Sequence, residues 1–393
     1  MFISPTWPRA GNGLAMRADA VARALSRRDE VHLAVPRPDG AEHPGAREGL
    51  TLYGPEQSFR DSVRNWMGVH LPAVYRRLRA EPRDWMAPDS RTVVQFVERA
   101  KAIQPDRAHV FRAYMIPFCE ALLEIIPCQL DLDECESRTR HRIADLARQN
   151  GHAQIAESLA QEAQFYEKVE QQWLPRFERV FVASEGEREY LLERDTRLKI
   201  DVLPNTMGLP CEAPQQRRTL RQGNSPFTLL FVGDLSYYPN VDGISYFVRE
   251  VLPILRERSR DVRLEVVGGG ASRLLRNYLS EQRGVQFSGY VRDLGSVYAR
   301  ADAVVVPLRC GGGTRIKVLE AFARGVPVVA TTMGAEGILA KDGEHLLLAD
   351  SAEQFAEACM RLADSETLRE DLCDRAYRLV AERYNSASLE LPE

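Results

Sequence analysis

The stretch Ala303-Val304-Val305-Val306-Pro307-Leu308-Arg309-Cys310-Gly311-Gly312-Gly313-Thr314-Arg315-Ile316-Lys317-Val318-Leu319-Glu320-Ala321-Phe322-Ala323-Arg324-Gly325 decides how this chain is read. Its opening, Ala303–Pro307, is a β-branched run of the kind buried on both faces of a parallel sheet. Its second half places Ile316, Leu319 and Phe322-Ala323 on one helical stripe, and Gly325 is a helix stop. The three glycines between them let backbone come close to a ligand and aim free N–H groups at it. Together with the positive end of the helix dipole, that makes an anion site. Lys317 and Glu320 are three residues apart and share a face. At about 1.5 Å rise per residue, Glu320 lies roughly 10 Å from the helix start. That spacing suits a diphosphate on the glycine cap and a ribose further along, its hydroxyls accepted by Glu320, with Arg315 or Lys317 as counter-charge. The plainer alternative is a glycine turn capping a helix with a surface Lys–Glu pair.

Strands and helices alternate on both sides of this segment. Met1–Ile3 is a clipped strand running into a proline-punctuated loop, followed by Gly11-Asn12-Gly13 and a helix carrying Leu14, Ala18, Val21 and Leu25. A second strand spans Glu30–Val35, so the opening reads as a Rossmann-like βαβ unit, although a tight turn explains the Gly11/Gly13 pair equally well. Further strands are expected at Arg107–Phe111, Cys128–Leu132, Val180–Ser184 and Ile200–Leu203, and helices at Thr92–Ile103, at Ile116–Ile125 and over 137–174. Residues 206–226 have linker composition. Beyond them alternation restarts with Leu229–Val232, a helix over Ile244–Arg258 containing Pro253, and strands Arg263–Val267 and Val285–Phe287. The expected fold is therefore α/β: two Rossmann-like doubly wound parallel sheets. The division is 1–205, a linker 206–226, 227–367, and a last helical segment 368–393. Both ends of the chain read as trimmed.

The 393 residues suit two ordinary domains, with 44% hydrophobic and 27% charged residues, which excludes wholesale disorder and fibrous repeats. Lys+Arg 52 against Asp+Glu 56 gives a net charge of −4, without the basic excess of a dedicated nucleic-acid binder. The basic residues are nearly all arginine; of five lysines (Lys101, Lys168, Lys199, Lys317, Lys341), one sits on the ligand-facing side of the glycine-capped helix. Seven cysteines form no C-x-x-C pair and read as isolated core thiols in a reducing compartment. No run approaches the ~18 apolar residues of a spanning helix. A cytoplasmic location follows, with peripheral contact at the inner face of a membrane suggested by the Arg- and Trp-bearing 59–79 region. An ordinary core stripe explains that region as well.

The second half of the chain resembles glycosyltransferase family 4, which has the two-domain GT-B fold. The matching segments are Phe231-Val232-Gly233-Asp234-Leu235 through Asn240-Val241-Asp242-Gly243, then Phe287-Ser288-Gly289-Tyr290-Val291, the glycine-rich strand–helix, and Gly325-Val326-Pro327-Val328-Val329-Ala330-Thr331 with Gly334-Ala335-Glu336-Gly337. The resemblance implies two domains facing a cleft and a nucleotide-diphosphate sugar as co-substrate. It also implies a glycan, lipid-linked or small-molecule hydroxyl acceptor, no metal or other cofactor, and retention of configuration. Gly233 and Asn240 belong to its donor loop, and Gly289, Tyr290 and Val291 would pass the base. Gly312, Gly313 and Thr314 would hold the diphosphate with Arg315 and Lys317, and Glu320 the ribose; Gly11 and Gly13 would approach from the other domain. The last helix, here Leu368–Tyr384, commonly crosses back to the first domain.

Two departures stand out. The first Glu of the family's E-x7-E pattern, which contacts donor-sugar hydroxyls, falls on Gly312, and the usual Arg and Lys after the first strand of the donor domain are absent. On the acceptor side, Asp131 and Asp133 alternate at strand period and point the same way. Asp133 is the candidate for orienting or deprotonating the acceptor hydroxyl, while a helix N-cap or a loop salt bridge explains the pair too. Arg112 would bind an acidic acceptor or the donor phosphates. His109 reads as a core residue. The alternatives to glycosyl transfer are a nucleotide-sugar epimerase on the same fold and a non-catalytic nucleotide-sugar binder.

Overall fold

The computed structural model describes residues 1–6, 8, 13–35, 50–53, 82, 85, 88, 90–209, 226–258 and 261–391, with 50–53 and 90–92 described by backbone alone. The 59–79 region, Gly11 and Cys211 lie outside the described residues. The chain divides into two compact units, Met1–Asn205 with Leu389–Glu393, and Thr206–Ser388.

The first unit is built on a parallel sheet of β1 (Phe2–Ile3), β2 (Val31–Ala34), β3 (Leu50–Tyr53), β4 (Ala108–Phe111), β5 (Cys128–Asp133), β6 (Arg179–Val182) and β7 (Ile200–Val202). Their order is β3-β2-β1-β4-β5-β6-β7. The second unit repeats the plan with β8 (Phe227–Val232), β9 (Val262–Val267), β10 (Val285–Gly289), β11 (Ala303–Val306), β12 (Val328–Ala330) and β13 (Leu347–Leu348), in the order β10-β9-β8-β11-β12-β13. Every pairing in both sheets is parallel. These are doubly wound sheets whose order reverses at β1/β4 and at β8/β11. Ligands of such sheets bind beyond the strand C-termini at that reversal.

Local physics accounts for the elements that matter. Val304, Val305 and Val306 are fully buried because the strand they form is central and covered on both faces. The helix Ile316–Ala323 ends in a Schellman motif. Val326 N donates to Ala321 O at 3.0 Å and Gly325 N to Phe322 O at 3.1 Å, with Gly325 at φ +65°, where only glycine is unstrained. The helix expected over Ile244–Arg258 begins earlier, at Tyr238, and passes through one π-turn, Phe247–Val251, before continuing as Leu252–Glu257. Pro253 has no N–H to give the Arg249 carbonyl, so the ladder widens just before it. The helical stretch expected over Ile116–Ile125 is regular only over Ile116–Cys119.

The last helix, Glu366–Arg383, lies wholly in the second unit. What returns to the first unit is the tail that follows: Leu389 is buried among Phe2, Val21 and Phe181, and its carbonyl accepts Arg27 Nη1 at 3.1 Å. None of the described cysteines forms a disulfide; five are buried and Cys373 is half-buried. No described helix is long and apolar enough to cross a membrane.

Candidate active site

The glycine loop leaves β11 at the point where the second sheet reverses. Gly311 and Gly313 both adopt left-handed conformations, φ +118° and +67°, so these two positions turn the chain in a way an L side chain would oppose. Arg315, the residue before the helix, is buried and fastens the loop from behind. Its Nη1 donates to Gly312 O and its Nε to Met333 O at 3.1 Å, while Nη2 has no hydrogen bond and lies 3.8 Å from Glu336. Arg315 was expected as phosphate counter-charge; its guanidinium is instead committed to tying two loops together.

Lys317 is placed differently. Its Nζ donates to Asn240 Oδ1 at 2.6 Å and sits 5.0 Å from the centre of the Phe231 ring. No carboxylate among the described residues lies within ion-pair distance of it, whereas the buried guanidinium groups of Arg17 and Arg112 and the half-buried one of Arg309 are each paired with one. Burial pushes the Lys317 ammonium down to about 7, with Arg315 adding to the effect and Glu320 opposing it. Asn240 is fixed in turn by its Nδ2 donating to Asp234 O at 2.8 Å. It packs against Gly233 so closely that a Cβ there would stand 2.8 Å from Asn240 Cγ. Gly233, Asn240 and Lys317 thus form one contact set joining the β8 and β11 loops.

One helical turn on from Lys317, Glu320 is buried and accepts the Tyr298 hydroxyl at 3.1 Å. Burial pushes its carboxyl up, against Arg324, Tyr298 and Lys317, which pull it down. Tyr298, on a helix whose pattern gave no such signal, escaped the sequence reading. So did Arg309, which grips Asp242 through Nε at 2.9 Å and Nη2 at 2.6 Å and holds the Tyr238–Tyr246 helix to the glycine loop. Gly289 is left-handed with open space beyond it, Tyr290 is 80% exposed, and Val291 is half-buried. Gly312 and Thr314 are half-buried in the loop itself.

In the first unit, Gly13 begins the Gly13–Leu25 helix. Arg17 from that helix clamps Asp131, Nη2 to Oδ1 at 2.7 Å and Nε to Oδ2 at 3.0 Å, and both side chains are buried. Asp131 Oδ1 also accepts Asp133 N at 2.9 Å. That Asx-type turn explains why strict alternation fails here: the β5–β6 register shifts between Asp131 and Asp133, and Asp133 sits at φ +62°. Asp133 is held by Arg112 Nη1 at 3.0 Å and Asn205 Nδ2 at 2.8 Å, with Arg17 Nε 3.6 Å away. Burial pushes its carboxyl up, while Arg17 and Arg112 pull it down. Asp131, fully buried on Arg17, is in a salt bridge and has no face for an acceptor. Arg112 is not open to an acidic ligand either. At φ +78° it spreads over Asp133, Glu134 (2.9 Å) and Glu136 (2.7 Å), and these three carboxylates occupy it. His109 is buried between Phe2 and Phe181, each 5.6 Å away, with neither ring nitrogen hydrogen-bonded, and burial lowers it to about 4.

Known proteins share the fold and, over part of the chain, resemble it in sequence. The structure of sucrose-phosphate synthase from Thermosynechococcus elongatus superposes with a TM-score of 0.71 at 18% identity, covering 99% of this chain and 96% of that one. Anabaena HepE in complex with UDP gives 0.64 at 15% identity, over 99% and 96%. The fold is therefore GT-B. Residues 226–365 match the family described as Glycosyl transferases group 1. Among curated relatives, a D-inositol 3-phosphate glycosyltransferase of Corynebacterium diphtheriae is 30% identical over 179 residues, 42% of this chain and 41% of that protein. A phosphatidyl-myo-inositol mannosyltransferase of Mycobacterium leprae is 34% identical over 165 residues, 40% of this chain and 42% of that protein. The chain thus spans about two-fifths of the length of the curated relatives it matches.

Proposed function

We propose that the protein is a glycosyltransferase of the family 4 type, moving a sugar from a nucleotide-diphosphate sugar to a hydroxyl of a glycan, lipid-linked or small-molecule acceptor. The observation that carries this reading is Lys317: a lysine with no carboxylate partner among the described residues, beside a glycine loop at the N-terminus of a helix, where the sheet order reverses. A diphosphate seated on the Gly312–Thr314 N–H groups supplies the missing negative charge, and Glu320 stands one turn on to accept ribose hydroxyls. As the bond to the sugar breaks, the charge that develops on the departing diphosphate is met by these N–H groups and by Lys317, already in position. No metal ion or other cofactor is needed in this scheme. The relatives' names support it: one is a glycosyltransferase, another a mannosyltransferase, and HepE was solved with UDP.

Asp133 is the acceptor-side group in this reading. It is the partly exposed member of the Asp131/Asp133 pair, and Arg17, Arg112 and Asn205 hold its carboxylate ready to accept a hydroxyl proton or orient the hydroxyl. Retention of configuration and cytoplasmic placement, with the 59–79 region touching an anionic membrane, belong to the same proposal; vesicle co-sedimentation tests the latter. An epimerase would need acid and base groups around the sugar, and Asp131 is locked on Arg17. Thermal-shift titration with nucleoside diphosphates, followed by donor turnover across an acceptor panel, tests the central reading. A stabilising response lost in Glu320→Ala, with sugar transfer, is expected. Binding without turnover favours the non-catalytic alternative, and no response to any diphosphate refutes both.

A further inference from the structure

Lys317 is half-buried, and its neighbours bear on how an anion arrives. Among the described residues, the β8 side offers it the Phe231 ring and the neutral amide of Asn240. Asp234, in the same loop, turns its carboxylate onto Ser236 instead, accepting both its N–H and its hydroxyl. The neighbouring Asp242 is spent on Arg309. From its own segment Lys317 faces Arg315, which repels the charged form, and Glu320, whose carboxylate is turned to Tyr298. Among the described residues, every nearby carboxylate that would keep the ammonium charged is thus either committed elsewhere or a turn away, and the contact it does have is a carbonyl oxygen.

We infer that anion binding at the glycine loop is coupled to uptake of a proton by Lys317, with Asn240 as the residue that positions this lysine. The inference rests on the donor-site reading above. With no fixed negative charge beside it among the described residues, the ammonium is disfavoured, in line with its depression to about 7. A diphosphate brings the counter-charge that the protein withholds, and the amine takes a proton from solvent, becoming an ammonium that donates to phosphate oxygen. Asn240 acts through Lys317, not on the ligand: its amide, anchored on the Asp234 carbonyl, accepts from Nζ without supplying the charge that an aspartate would.

Isothermal titration calorimetry of the full chain with UDP, GDP and ADP, each in two buffers of different ionisation enthalpy, reads this directly. At pH 8 the phosphate, with a second ionisation near about 6, contributes no proton. Wild type should then take up about nine-tenths of a proton per diphosphate bound, the fraction of a group at about 7 that is neutral there. Lys317→Arg, always charged, should bind with no buffer dependence. Asn240→Asp keeps the shape but supplies the carboxylate, so its uptake should fall close to zero and its affinity drop about tenfold, as the ligand competes with it. Binding without proton uptake in wild type, uptake that persists in Lys317→Arg, or wild-type uptake in Asn240→Asp each overturns the inference while leaving the donor site intact. No binding of any diphosphate removes the donor-site reading itself, and the coupling with it.

Discussion

Replacing Lys317 by methionine should make the protein more stable and unable to hold its anion. In the unfolded chain this lysine titrates near its ordinary 10.5, and in the folded one at about 7. Between those values the unfolded state binds more protons, so stability rises with pH through that window and is lowest, for this group, at and below pH 7. At 1.36 kcal/mol per tenfold change in proton affinity, holding the lysine in place costs roughly 4 kcal/mol at pH 7 and about 1.4 kcal/mol at pH 9.5. Methionine fills the same space over Phe231 without a charge, and the loss of one hydrogen bond to Asn240 returns about 1 kcal/mol of that gain. Differential scanning calorimetry should therefore show the second unit melting several degrees higher in Lys317→Met at pH 7, at about 2–4 °C per kcal/mol for a unit of this size. The advantage should shrink on going to pH 9.5. Diphosphate affinity should fall by 10-fold or more, as expected for a charge-assisted hydrogen bond of about 1.5–3 kcal/mol. An unchanged or lowered melting point at pH 7, or a gain independent of pH, refutes the account of an unpaired, burial-strained ammonium.

Four further outcomes are expected. Asp133→Asn should lower kcat about 100-fold or more while diphosphate affinity stays within twofold, measured by donor turnover beside calorimetry. Arg112→Met removes the cation shared by Asp133, Glu134 and Glu136, leaving Arg17 and Arg140 to compensate in part, and should cost about 3 kcal/mol in urea unfolding of the first unit. Gly313→Ala forces a side chain into φ +67° and should cost about 1–2 kcal/mol, with weakened diphosphate binding. Chelation with EDTA should leave sugar transfer unchanged, because Lys317 and backbone N–H groups meet the charge; loss of activity restored by a divalent ion would overturn that part of the proposal.

What the sequence disclosed was local. The valine run, the glycine loop, the one-sided stripe of the following helix and Gly325 as its stop all lie within 23 consecutive residues, and each follows from backbone preferences or periodicity. What it concealed depends on partners far along the chain. Arg17 meets Asp131 across 114 positions and Lys317 meets Asn240 across 77. No spacing rule reveals that Arg112 and Arg315 are consumed by carboxylates and carbonyls, so both looked available for phosphate. Alternation at Asp131 and Asp133 was a sound expectation until an Asp side chain captured its own backbone two residues on, which broke the strand. The crossing of the last helix came from the family resemblance alone, and nothing in its own residues says which unit covers them.

The Arg315 staple has a consequence for how this protein changes over generations. One guanidinium joins Gly312, Met333 and, at longer range, Glu336, so the glycine loop and the turn after β12 form a single inherited module. A lineage that alters the loop at Gly312 must also find a new occupant for 315 and for the acidic position opposite. Substitutions at these places should therefore arrive together in descendants. Engineers who graft another sugar preference onto this scaffold should transplant positions 311–315 with 333–336 as one piece.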